Sequence, residues 1–154
     1  MLGNGGSVKN HKMMNRMNRG NYKASYLKGF CRQVFEAMGC SQQDAELASN
    51  VLIAADLRGV DSHGVARLIG YARLWENGRI NPKPNIRIVH ETPSTATVDG
   101  DAGLGLVVAP KAMEWALEKA EKVGSGWVSV TNSNHFGIAG YHAMMGLPKD
   151  MIGW

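Results

Sequence analysis

The spacing of apolar residues changes period once along this chain, and that change decides the fold class. Up to Glu76 the period is helical. Leu27, Phe30, Cys31, Val34, Phe35 and Met38 recur at i, i+3, i+4 and i+7, which predicts a helix from Ala24 that ends at Gly39. "SQQD" supplies a capping-box-like start for a second helix, with Ser41 as N-cap and Asp44 three residues on. That helix is expected to reach Leu57 or Arg58 and to bury Ala48, Val51, Leu52 and Ala55. "GVDS" breaks it, and Ser62 is expected to cap a third helix that runs to Glu76, with Gly78 just past its end.

Beyond the stiff linker "NPKPN" the period becomes two. "IRIVH" (86–90) and "TATVD" (95–99) alternate like strands around a Pro-containing turn. Pro110 fits the first turn of a helix through about Lys122, with Met113, Ala116, Leu117 and Ala120 on its inner face and Gly124 as its stop. "GWVSVTN" reads as a buried strand, a short helix follows from about Ile138, and "MIGW" reads as the opening of another strand. The expected fold class is therefore α/β. A basic, disordered tail over 1–22 precedes an N-terminal helical region over 23–80. Residues 81–154 form the first part of an α/β domain, and a last segment cut in mid-element predicts a truncated chain.

Charge narrows the function classes. The formal charge of +4 is concentrated at the front: residues 1–35 hold seven Lys/Arg and no acid, and residues 36–154 hold ten against thirteen Asp/Glu. The body is mildly acidic and offers no basic face for nucleic acid. No run of 18 apolar residues predicts a membrane span. Cys31 and Cys40 belong to no CxxC or Cys/His cluster, so neither a metal site nor a disulfide framework is expected, and a reducing, cytoplasmic setting is.

Chemistry concentrates at two places. On the third helix as expected, His63, Arg67 and Tyr71 recur every four residues and share one polar arc beside the stripe of Val65, Leu68, Ile69, Ala72 and Trp75. Ser62 would put His63 at the helix N-terminus, where N–H groups favour an anion, and the planar fork of Arg67 one turn on suits a carboxylate. A solvated helix face explains the same pattern, and the residues alone leave both readings open.

The second place is "TNSNHFGIAGYH" (131–142). His135 stands at a strand end between glycine-rich turns, either as a backbone-bonding ring or as a group that moves a proton. His142 reads as a surface residue, with a place behind the site as the alternative; His11 and His90 carry no signal. "GDAGLG" (100–105) lacks the G-x-G-x-x-G spacing and reads as a strand-to-helix turn.

These same motifs carry a family resemblance. "AADLRGVDSHGVARLIGY", "NGRINPKP", "VDGDAGLG" and "NSNHFGIAGYHAM", in this order over about residues 23–154, resemble the N-terminal half of the malate/L-lactate dehydrogenase family, which includes ureidoglycolate and sulfolactate dehydrogenases. The resemblance implies a non-Rossmann mixed-sheet fold, usually homodimeric. It implies hydride transfer between NAD or NADP and a small 2-oxo or 2-hydroxy acid. It further implies His135 as the catalytic acid/base, with Ser62, His63, Arg67 and Tyr71 lining the substrate pocket and Arg67 clamping the carboxylate. Most cofactor contacts are expected beyond Trp154. The alternative is an inactive fragment or interaction module that keeps the family core.

Overall fold

The computed structural model describes residues 21–154. The tail expected over 1–22 lies outside the described residues apart from Asn21 and Tyr22, and so does His11.

Helix α1 (Ala24–Ala37) buries Cys31, Phe35 and, just past its end, Met38, residues stacked on one side by their spacing of four and three. Phe30 was expected on that face and is instead 49% exposed, since one residue before Cys31 is a step of about 100° round the helix. Gly39 turns the chain with φ +98, and the Ser41 hydroxyl accepts the Asp44 N–H at 3.1 Å as the cap of α2 (Gln42–Asp56). Helix α2 buries Ala45, Ala48, Val51, Leu52 and Ala55.

The third helix departs from expectation. Two 3₁₀ turns, Asp61–His63 and Val65–Arg67, precede a shorter α3 (Leu68–Glu76). Ser62 does not cap: its hydroxyl meets the ring of His63, and the carboxylate of Asp56 accepts the Val65 N–H at 2.9 Å. Gly64 lies directly against that carboxylate, where a Cβ would come within 2.0 Å of Asp56 Oδ1. The break therefore comes from a side chain of α2 that reaches across to the backbone. Within α3, Leu68 and Tyr71 are buried and Ile69 is 61% exposed, which rotates the expected stripe toward the tyrosine.

Among the described residues the sheet has three strands in the order β1 (Arg87–Glu91), β2 (Thr95–Gly103), β3 (Trp127–Ser133). Strands β1 and β2 are antiparallel, with a bulge between Ile88 and His90. Strand β3 runs parallel to β2, with Val98 opposite Val130. Helix α4 (Gly105–Val123) is the crossover. It begins well before the expected point and places Pro110 inside the helix, because Leu104, Leu106, Val107 and Val108 are all buried and anchor its first turn. Gly124 closes it with φ +86. Strand β3 is not buried as expected: it is the sheet edge, and Trp127 and Val130 are exposed. Residues 151–154 form no strand, and Trp154 packs edge-on against Trp127.

One apolar core joins both halves, with Phe35, Leu52, Leu68 and Tyr71 from the helices meeting Leu104, Leu106 and Val107 of the α4 start. The α/β class with a mixed, non-Rossmann sheet is the architecture formed. No described helix is long and apolar enough to cross a membrane.

Candidate active site

Residues 134–137 leave the C-terminal end of β3 and are stapled to the end of β2. The Asn134 amide donates to the carbonyls of Ala102 and Gly103 at 3.0 and 3.1 Å. Short helix α5 (Ala139–Ala143) follows, and Gly137, with φ +79, makes the turn between them.

That turn presents the half-buried ring of His135 to α3. Its Nδ1 lies 2.7 Å from Tyr71 Oη and 3.2 Å from the Gly137 nitrogen. A backbone N–H can only donate, so Nδ1 must be the lone-pair nitrogen, Tyr71 donates as well, and the neutral ring carries its proton on Nε2. Burial, followed by the charges of Arg67 and His63, holds His135 below the ordinary 6.5 of a histidine. Burial also pushes the Tyr71 phenol well up, against the pull of Arg67. Tyr71 remains a neutral hydroxyl at physiological pH.

His63 faces His135 with ring centroids 5.4 Å apart, and its Nδ1 is 2.9 Å from Ser62 Oγ. Arg67 is exposed and anchored through Nε, which donates to the Ser62 carbonyl at 2.7 Å. The structure thus gathers His135, His63, Tyr71, Arg67 and Ser62, though not as a continuous helical arc. The helix-end anion seat expected at His63 is not formed, since Asp56 already takes the Val65 N–H. An anion here is met by side chains. Such a cluster can hold a carboxylate against Arg67 and pass a proton at His135 Nε2.

Sequence reasoning misplaced His142. It is only 8% exposed, and its Nε2 bonds the Phe136 carbonyl at 2.9 Å. The signal was available in "HFGIAGYH", where a helix opening after Ile138 turns its fourth residue back over the loop.

The thiols of Cys31 and Cys40 are buried, and burial pushes both up to about 11, which disfavours the thiolate. Among the described residues no three His, Cys, Asp or Glu side chains are grouped to hold a metal. A groove of about 1140 Å³ runs between α4 and β3, past Ala112, Met113, Val130 and Asn134 to Phe136. His135, His63, Arg67 and Tyr71 do not line it, so the backbone at 134–136 separates groove from histidine cluster.

Fold and site together define a mixed-sheet α/β protein with a cluster of His135, His63, Tyr71 and Arg67 at the end of a parallel strand. The chain belongs to the malate/L-lactate dehydrogenase family, whose sequence model matches residues 22–154. It is 49% identical over 120 residues to the L-sulfolactate dehydrogenase of Methanocaldococcus jannaschii, covering 78% of this chain and 35% of that protein. It is 50% identical over 127 residues to a malate dehydrogenase of Pyrococcus abyssi, covering 82% and 35%. The solved malate dehydrogenase of Pyrococcus horikoshii superposes with a TM-score of 0.83 at 42% identity, over 86% of this chain and 38% of that one. The chain therefore spans 35% of the length of these two curated relatives.

Proposed function

We propose that this chain provides the acid/base and carboxylate-binding part of a dehydrogenase that moves a hydride between NAD or NADP and a small 2-oxo or 2-hydroxy acid. The observation that carries the reading is the 2.7 Å contact of Tyr71 with His135 Nδ1, which leaves Nε2 as the nitrogen available to substrate beside His63 and Arg67. Similar proteins are malate and sulfolactate dehydrogenases, whose substrates are acidic 2-hydroxy acids. The same reading takes the enzyme as a cytoplasmic homodimer.

A nicotinamide, when bound, supplies the hydride. The groove between α4 and β3 offers Ser125, Asn132 and Asn134 among apolar side chains but no lysine or arginine for a pyrophosphate. These residues do not make up a dinucleotide site, and the chemistry assigned to the chain is that of the proton. In reduction the doubly protonated His135 ring gives its Nε2 proton to the carbonyl oxygen of the acid. Nδ1–H then points at Tyr71, whose hydroxyl serves in either sense, accepting from a protonated Nδ1 and donating to a bare one. Arg67 fixes the neighbouring carboxylate, which orients the carbonyl toward the ring.

A spectrophotometric screen of NADH and NADPH oxidation with pyruvate, oxaloacetate and other 2-oxo acids tests the reading. Turnover is expected, and His135→Ala is expected to lower it by about 10²- to 10⁴-fold with the fold intact. Unchanged turnover in that variant rejects the role of His135. The second reading is an inactive fragment or interaction module that keeps the family core. Absence of turnover with every acid and both cofactors supports that one.

A further inference from the structure

We propose that His142 is a positioning residue that decides which nitrogen of His135 carries the proton, acting through the peptide bond between Phe136 and Gly137. The inference builds on the acid/base role given to His135 above. The His142 Nε2 contact is to a carbonyl, which can only accept, so Nε2 of His142 is the donor at 2.9 Å. The other end of that same peptide plane is the Gly137 N–H, which donates to His135 Nδ1 at 3.2 Å. In a trans peptide C=O and N–H point in opposite directions, so a ring anchored on one end fixes the aim of the other. Donation to the carbonyl also polarises the N–H.

His142 is built for a fixed task. Its ring is buried against Phe136 and Tyr141, with centroids 5.3 and 5.6 Å away. Its Nδ1 is buried with no hydrogen-bond partner among the described residues. A proton there would be an unpaired N–H in an apolar place. One tautomer is therefore enforced, and it is the one that donates to Phe136.

The groups facing His135 show why this matters. Tyr71 can donate or accept at Nδ1, and Arg67 and His63 act through charge, so none of the three selects a tautomer. Gly137 N–H is the contact that cannot reverse. Held in place by His142, it keeps Nδ1 bare and the proton on Nε2 in the resting neutral ring; the Nδ1–H left after proton transfer turns to Tyr71 until the ring returns to that form.

Imidazole ¹⁵N spectra of the labelled chain test this without cofactor or turnover, with His135 assigned by comparison with His135→Gln. Wild type is expected to show His135 protonated on Nε2 when neutral. In His142→Phe, which keeps the ring and loses the donor, the Nδ1 signal is expected to shift from the acceptor position toward that of an exchanging ring. His142→Gln, whose amide can donate to Phe136, is expected to restore it. A wild-type His135 protonated on Nδ1, or a folded His142→Phe with an unchanged Nδ1 signal, overturns the proposal. Failure of the turnover assay alone rejects the catalytic reading and leaves this one standing.

Discussion

Gly105, the first residue of α4, lies against the backbone of His135 with no room for a side chain. A Cβ there would come within 2.5 Å of the His135 carbonyl oxygen and 2.1 Å of that of Asn134. The helix start and the histidine loop are therefore one packed unit, and the place of the ring depends on the absence of a side chain at Gly105.

Gly105→Ala is expected to destabilise the chain by about 1–3 kcal/mol, the usual cost of overpacking. Thermal melting reads this as a drop of roughly 2–12 °C for a domain of this size. Gly29→Ala is the control. It sits in α1 with nothing within 4 Å of a Cβ, and is expected to gain about 0.5–1 kcal/mol of stability. Equal melting of both variants would show that the close approach is not made.

Tyr71→Phe removes one hydroxyl from a residue that is only 2% exposed and leaves its packing against Phe35 in place. His135 Nδ1 then keeps only the Gly137 N–H. Urea denaturation is expected to show a loss of about 0.5–1.5 kcal/mol, the net worth of one hydrogen bond. Wild-type stability in this variant argues against the contact.

Much of this was legible in the sequence, and the misses share a cause. Spacing alone located Ser41, Gly39, Gly124 and the change from helices to strands, because caps and periods are local properties. It also drew attention to His135, His63, Arg67 and Tyr71. It could not show that Asp56 reaches nine residues along to Val65, and so it drew one helix where the chain breaks at Gly64. The periodicity puts Tyr71 on a polar arc, whereas the core closes over it and its hydroxyl and ring meet His135. His142 was given to the surface since its partner is a backbone carbonyl, which leaves no mark in composition. Strand β3 reads as buried from its residues, but burial depends on what lies beside an edge.

Acid should weaken the fold in a specific window. Burial holds both His135 and His142 below 6.5, so below that pH the unfolded chain binds more protons than the folded one. Stability therefore rises with pH through this range and is lost as pH falls from 6.5. The unfolding free energy, measured by urea between pH 7.5 and pH 5.5, is expected to decline toward acid (~pH window set by the histidine titration), and His142→Gln is expected to flatten the slope. Glu91 and Asp99, held low by Lys119 and by the Asp101 N–H respectively, act only in stronger acid. A flat profile above pH 5.5 contradicts the burial of both rings.

The pairing of Asp56 with Gly64 makes a prediction that neither residue makes alone. Asp56→Ala removes the acceptor of the Val65 N–H and is expected to cost about 0.5–2 kcal/mol, as loss of a helix cap does. Gly64→Ala drives a Cβ into the carboxylate and is expected to be destabilising as well. In the double variant the methyl group enters the space the carboxylate has left, so its added cost should largely vanish. The cycle is expected to show a coupling of about 0.5–3 kcal/mol between the two positions, read from chemical denaturation of all four proteins. Simple additivity would mean that Gly64 is needed for its backbone alone. The same cycle bears on the site, because the turns that Asp56 shapes carry His63 and Arg67. Ring-to-ring proton contacts between His63 and His135 are expected in wild type, where the centroids are 5.4 Å apart, and are expected to weaken in Asp56→Ala.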